Sequence, residues 1–267
     1  MPDVVALLRK EETTADALAE RMHEDALATA FDVAIDFDPA RDLDPALLAA
    51  IRAGTPRAIV DLVERHGHGD IVEFPLFQRD FARRLLAEAD RFQAAGLNHT
   101  RPNSMNVKGA VLAEMGLRKL ASRIMAEYFV PIARVFFPTW GGDVLNAHHS
   151  FIVQYGADAD RSLDVHMDQS DVTVNAALGE EWTEGDLVFT GARNSGREKT
   201  ERVQLRVPVG RAIMHVGQHW HRALNIASGQ RSNAIFWLRS DVRQRLAAET
   251  FVDTCEGDRG RLVRADL

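Results

Sequence analysis

Three side chains in this 267-residue chain carry the elements of a metal centre: His166, Asp168 and His221. In Leu163-Asp-Val-His166-Met-Asp168-Gln-Ser170, residues two apart on an extended backbone share a face, so an imidazole and a carboxylate project together. Two imidazoles and one carboxylate hold Fe(II) on one face and leave three positions open, enough for a bidentate α-keto acid and O₂. The third donor must come from a distant strand. His221, in Gly217-Gln-His-Trp-His221-Arg222, fills that role, with His219 of the same parity as a rival. A keto diacid would also need a cation for its far carboxylate, and Arg231 stands ten positions after His221 across the turn residues Ser228-Gly229. On Arg231–Arg239, alternation puts Arg231, Asn233, Ile235, Trp237 and Arg239 on one face and Ser232, Ala234, Phe236 and Leu238 on the other. The first face suits a ligand cavity and the second a packing layer.

The elements that must position these groups change character along the chain. The first half reads as helices: residues 14–31 capped by Thr14, Pro45–Ile51, Thr55–His66 with Pro56 at the first turn, Gln78–Ala95 ending at Gly96, and Met115–Val135. A short extended piece, Ile71–Pro75, interrupts them. After Leu145 come Phe151–Tyr155, Val172–Leu178, Asp186–Gly191, Val203–Val209, Arg211–Val216, Ala223–Ala227 and Asn233–Leu238, separated by Gly, Asp, Asn and Ser. Short strands so spaced predict an antiparallel sandwich or barrel. With no linker between the halves, residues 1–267 read as one unit: a mainly helical part at 1–140, a β core at 145–240 and a C-terminal tail at 241–267.

Composition narrows the class. The net charge is −7 and no Lys/Arg-rich run occurs, so nothing points to nucleic acid. One cysteine, Cys255, excludes an internal disulfide framework. No secretory pattern opens the sequence and no apolar run is long enough for a membrane span, which makes a cytoplasmic protein without membrane attachment the simplest expectation.

The stretch from about Pro75 to Ser240 resembles the prolyl and lysyl hydroxylase branch of the 2-oxoglutarate, Fe(II)-dependent oxygenases, most closely the lysyl-hydroxylase-like domains. The matching pieces are Arg101-Pro-Asn-Ser-Met-Asn106, Phe151-Ile-Val-Gln-Tyr155, His166-Met-Asp168, Val172-Thr-Val-Asn175, Glu184-Gly-Asp-Leu187, and His221 followed by Gly229-Gln-Arg231 and Trp237-Leu-Arg239. Asp186 and Asn225 depart from the family's usual Gly and Pro, and the first 70 residues carry no piece of the resemblance. The resemblance implies a double-stranded β-helix of jelly-roll, cupin-like type with flanking helices, an α+β fold. It implies iron on His166, Asp168 and His221, the 2-oxoglutarate 5-carboxylate on Arg231, and a hydrogen bond from Tyr155 to the same co-substrate. Asn175, a polar residue in an apolar strand, joins the expected cavity lining. The implied activity is hydroxylation of an unactivated C–H bond with O₂, with ascorbate as a conceivable reductant. The substrate expected is an amino acid, peptide or related small molecule.

Other readings compete. His148, His149 and His215 are expected to be structural or to stand behind the ligands. His66 and His68 are expected in a solvated glycine-rich loop, and Asp158, Asp160 and Asp164 in a solvated loop that could form a lid. Arg101, Asn103 and Asn106 either contact substrate or order a turn. A metal-binding β-helix scaffold or sensor without turnover, and a zinc hydrolase on the same three ligands, are the rival functions. The N-terminal helices are expected either to close over the site or to build a homodimer.

Overall fold

A computed structural model describes residues 4–179, 182–241 and 243. Most of the tail expected at 241–267, including Cys255, lies outside the described residues.

The helical half begins with α1 (Val4–Ala30), which starts well before the expected cap, so that Thr14 lies inside the helix. The good helix formers simply continue upstream, with no breaker between them and residue 14. Asp38, Asp44 and Thr55 then cap α2 (Pro39–Asp42), α3 (Pro45–Ala53) and α4 (Pro56–Leu62), each with proline in its first turn. The helix expected to reach His66 stops at Leu62. Residues Glu64–His66 instead form β1, paired antiparallel with β2 (Ile71–Pro75) across a turn in which Gly67 and Gly69 have positive φ. Strand pairing there outweighs local helix propensity. The helix α5 (Arg79–Ala94) and strand β3 (Gly109–Val111) follow.

The single helix expected over 115–135 is three pieces: α6 (Arg118–Ile124), a π-helical turn (Met125–Phe129) and α7 (Val130–Phe136). Pro131 has no N–H to give, and the Val130 N–H reaches back to Met125 O, the wider spacing of a π turn.

The remaining strands are β4 (Ala147–Tyr155), β5 (Leu163–His166), β6 (Val172–Ala177), β7 (Trp182–Glu184), β8 (Leu187–Ala192), β9 (Val203–Leu205), β10 (Arg211–Val216), β11 (His219–Ala223), β12 (Ile226–Gly229) and β13 (Arg231–Arg239). Among the described residues they build a seven-stranded sheet ordered β1-β2-β10-β6-β13-β4-β3, a four-stranded sheet ordered β5-β11-β8-β9, and the pair β12-β7. All named pairings are antiparallel. The strand expected at 223–227 is therefore two, β11 and β12, which pair with different partners. The large sheet is not confined to residues 145–240, because β1, β2 and β3 extend both its edges.

The large sheet is buried on both faces, and β13 shows how. Ala234, Phe236 and Leu238 belong to an apolar layer shared with the helices, where Phe236 meets Phe129 edge-on at 5.0 Å. Ile235 belongs to a second apolar cluster with Phe151, Val153, Leu187 and Phe189, between the two sheets. Charged clips hold the helical layer. Asp42, 1% exposed, accepts from Arg41 Nε at 2.7 Å and from Arg84 Nη2 at 2.5 Å, joining α2 to α5. No helix among the described residues is long and apolar enough to cross a membrane.

Replacing Phe236 by Ala removes the ring that joins sheet to helices and should cost about 3–5 kcal/mol. Replacing the half-exposed Val60 by Ala should change stability by less than about 0.5 kcal/mol. Urea unfolding midpoints of the two variants check both expectations.

Candidate metal centre

The two histidines meet because β5 pairs with β11 in the register His166↔His221. Directly opposed residues on antiparallel strands share a face at short range, and here the ring centroids lie 4.2 Å apart. Asp168 follows β5 and is anchored by its backbone N–H to Gly217 O at 2.9 Å. Its carboxylate then sits 3.7 Å from His166 Nε2 through Oδ1 and 3.7 Å from His221 Nε2 through Oδ2. These separations exceed a hydrogen bond, while one donor atom from each of the three groups falls within a common 4.8 Å.

The other atoms of each group are already committed. His166 Nδ1 lies 2.7 Å from Asp164 O and His221 Nδ1 lies 2.9 Å from His219 O. Carbonyls accept only, so Nδ1 carries a proton in each ring and Nε2 is the nitrogen left to face a metal. Thr173 Oγ1 donates to Asp168 Oδ2 at 2.7 Å. Burial, reinforced by the neighbouring His221, holds the His166 pKa below its ordinary value and favours the neutral imidazole. Two imidazoles and a carboxylate converging on one point are a donor set that fits Fe(II).

The donors open into a cavity between the sheets, lined among others by Tyr155, Asn175, Leu187, Arg231, Asn233 and Ile235. Arg231 is 4% exposed, its Nη1 donates to Gly185 O, and its guanidinium lies over the ring of Tyr155 at 4.1 Å. The two are opposed residues of β13 and β4. Burial lowers the Arg231 pKa, the direction in which a bound carboxylate would act as the missing counter-charge. Its Nε is buried without a hydrogen-bond partner, as are Asn233 Oδ1 and Trp237 Nε1 on the same face of the strand. Buried polar atoms left so mark a place for a ligand. Burial also raises the Tyr155 pKa, so its hydroxyl stays protonated. Asn175 lines the cavity, but its Oδ1 accepts from Asn233 Nδ2 at 2.7 Å, so it presents a paired amide.

The competing histidines separate. His215, wholly buried, packs beside His221 with ring centroids 4.9 Å apart, and burial drives its pKa well down. His148 and His149 lie inside β4 rather than before it. His148 pairs with Ser122 and Ser150 oxygens at 2.9 and 2.8 Å, and His149 Nε2 lies 3.1 Å from Pro102 O. His219, despite its parity, joins a different cluster with Asp70 and Glu201. His66 is a strand residue 3.2 Å from Glu73 Oε2, not a solvated loop residue. Asn103 and Asn106 order a turn: Asn103 Oδ1 accepts the Met105 and Asn106 N–H groups at 2.8 Å each. Asn106 Nδ2 in turn donates to Tyr155 Oη at 3.1 Å. Asp160, expected in a solvated loop, accepts the Val107 N–H at 2.7 Å and ties that turn down.

Sequence reasoning missed Thr173 and Gly217. A Cβ on Gly217 would fall 2.0 Å from Ser170 O, and Gly217 also donates to Asp171 O at 3.1 Å. Only a residue without a side chain lets the 168–171 segment lie this close. The one sequence signal was a glycine at the end of an apolar strand run.

Residues 32–142 match the OGFOD2-like domain model, which begins within the stretch where no resemblance had been read. The chain is 35% identical over 205 residues to 2-oxoglutarate and iron-dependent oxygenase domain-containing protein 2 of Xenopus tropicalis, covering 74% of this chain and 59% of that protein. It is 36% identical over 211 residues to 2-oxoglutarate and iron-dependent oxygenase domain-containing protein CP2 of Arabidopsis thaliana, covering 76% and 53%. The chain thus spans little more than half the length of these curated relatives. A prolyl 4-hydroxylase structure from Phytophthora capsici superposes with a TM-score of 0.50 at 13% identity, over 78% of this chain and 68% of that one, a likeness of fold. The resemblance to 2-oxoglutarate and iron-dependent oxygenases is thereby shown, and the fold is the double-stranded β-helix with flanking helices.

Replacing Gly217 by Ala should push the 168–171 segment away and weaken Fe(II) binding by on the order of 10- to 100-fold, with the far-UV circular dichroism of the wild type retained. Metal titration against the wild type measures the loss.

Proposed function

We propose that this chain is an Fe(II)- and 2-oxoglutarate-dependent dioxygenase that hydroxylates an unactivated C–H bond, with iron held by His166, Asp168 and His221. The observation that carries the reading is the convergence of three free donor atoms at one end of a cavity whose wall holds a buried arginine with an unpartnered Nε. The relatives' names, 2-oxoglutarate and iron-dependent oxygenase, point the same way.

Each residue has a part in holding and orienting. His166 and His221, fixed by Nδ1–H donation to carbonyls, present Nε2 to the metal without rearrangement. Asp168 adds a negative charge, with Oδ2 restrained by Thr173. Arg231 grips the far carboxylate of 2-oxoglutarate, and the protonated Tyr155 hydroxyl, held by Asn106, stands ready to donate to the same group. Asn175 and Asn233, bonded to one another, line the co-substrate cavity. Phe189 stacks on His221 at 5.3 Å, and with Leu187 and Ile235 it keeps water from the ligands. When bound, iron and 2-oxoglutarate supply the redox chemistry, in which O₂ gives one oxygen atom to succinate, formed with loss of CO₂, and the other to the substrate C–H bond.

Substrate approaches along a second depression that shares Asn103 and Trp237 with the cavity. Its walls bring both signs of charge, Glu20 and Glu24 from α1 and Arg21, Arg118 and Arg239. A lining of mixed sign suits the ammonium and carboxylate of an amino acid, or the amide dipoles of a peptide, better than a polyanion. Residues 1–267 act as one unit in this reading, with α1 forming part of the substrate wall.

Anaerobic addition of Fe(II) and 2-oxoglutarate should produce the visible metal-to-ligand charge-transfer band of the chelate. The band should vanish in His166→Ala. In Arg231→Ala, half-saturation should need about 30-fold more 2-oxoglutarate, the loss of roughly 2 kcal/mol of charge-assisted hydrogen bonding. An iron-loaded, folded wild type without the band would rule the reading out.

A further inference from the structure

A second group of donors gathers just upstream of His221, and none of its members lines the cavity described above. His219 comes from β11, Asp70 from the β1–β2 turn and Glu201 from the segment between β8 and β9. One ligand atom from each falls within a common 4.8 Å.

His219 is 0% exposed, and neither of its ring nitrogens makes a well-aligned hydrogen bond, although the ring interacts with the Thr190 backbone. Burial lowers the His219 pKa and favours the neutral ring, which carries one N–H and one lone pair, and burying both nitrogens unpaired is costly. Asp70 Oδ1 is likewise buried without a partner. Arg197 occupies the other side of the group: its Nη2 donates to Asp70 Oδ2 at 2.8 Å and its Nε to Glu201 Oε2 at 3.1 Å. Glu201 Oε1 accepts the backbone N–H of His68 at 3.2 Å. Two carboxylates against one guanidinium leave a net negative charge beside an unused imidazole. The lone pairs not spoken for belong to Asp70 Oδ1, Glu201 Oε1 and His219, one from each of three separate segments.

We propose that Asp70, Glu201 and His219 form a second divalent-cation site, distinct from the His166–Asp168–His221 centre. One nitrogen and two carboxylate oxygens are the ligand chemistry of Zn²⁺ or a similar first-row ion. Bound there, the ion ties the β1–β2 turn and the segment around Glu201 to β11. Its effect reaches the first centre through one strand, because His219 O is the acceptor that orients His221 Nδ1 at 2.9 Å. The site is therefore structural in kind, a clamp that fixes the strand carrying the third ligand of the proposed iron centre.

The test counts metal in the full chain with Co(II) as a spectroscopic stand-in for Zn(II). Wild type should take up two equivalents. A His166→Ala, Asp168→Ala double variant should keep one, with d–d absorption. Asp70→Asn and His219→Gln should each lose that second equivalent, weakening it by about 100-fold or more, and keep the first. A folded double variant that takes up no Co(II) overturns the proposal. Should the double variant fail to fold, single Asp70→Asn decides: loss of one equivalent relative to wild type supports the site, and unchanged uptake overturns it. Failure of the oxygenase reading looks different, since it abolishes the 2-oxoglutarate chelate band and leaves the equivalent at Asp70, Glu201 and His219 in place.

Discussion

The register of β5 against β11 is the constraint on which the site depends. Alternation has a period of two, so a slip of one residue would turn His166 away from His221. β5 is four residues long, lies at the edge of its sheet and has an exposed middle, so its own ladder holds it weakly. The register is held from its flank instead. The Asp168 N–H bonds to Gly217 O and the Gly217 N–H bonds to Asp171 O, and this reciprocal pair locks the loop after β5 to the turn before β11. β11 in turn is fixed on its other side by β8, against which the register shifts by one residue between His219 and His221. His219 and His221 are both buried and both pack against Phe189, and they join different clusters because Asp70 and Glu201 gather beside His219 and Asp168 beside His221.

Beyond the donors, the cavity concentrates polar atoms where water is scarce. A buried guanidinium is expensive without a counter-charge, and the protein meets that cost in part with the Tyr155 ring and the Gly185 carbonyl. What remains unpaired, Arg231 Nε with Asn233 Oδ1 and Trp237 Nε1, lies along one face of β13. A chain of hydrogen bonds, Asp160 to the 103–107 turn and Asn106 to Tyr155, fixes the Tyr155 hydroxyl beside Arg231 before any ligand arrives. Such preorganisation places donors where the ligand's charge will lie and spares reorganisation on binding.

The helices are a buttress as well as a covering. The helix-side face of the large sheet is covered by the layer containing Phe129 and Phe236, which keeps the seven strands in order. Asp42 with Arg41 and Arg84, and Glu88 with Arg91 and the Ala34 N–H, join the N-terminal segments to α5. In each of these pairs the carboxylate is buried while the arginine reaches towards solvent. At the other end of the layer, Arg118 bonds to Glu24 and brings α1 to the depression beside Asn103 and Trp237. The helical half thus reaches the mouth of the site.

Much of this was legible in the chain itself. The two-residue spacing of His166 and Asp168, the ten-residue step from His221 to Arg231 and the alternation along β13 are properties of an extended backbone, and covalent geometry carries them into any fold that keeps the strands. Pro45 and Pro56 likewise marked α3 and α4 at their N-termini. Other features depend on partners far away in sequence. Glu64–His66 is a strand because β2 lies beside it, and His148 is a strand residue because β13 does. His219 parted from His221 because Asp70 and Glu201, from distant segments, gather beside it, and Gly217 matters because Ser170 O lies 2.0 Å from where its Cβ would be. The sequence by itself determined which donors face together along a strand. Only the tertiary structure decided which strands meet, in what register and how closely, because those are contacts between segments that local propensity does not encode.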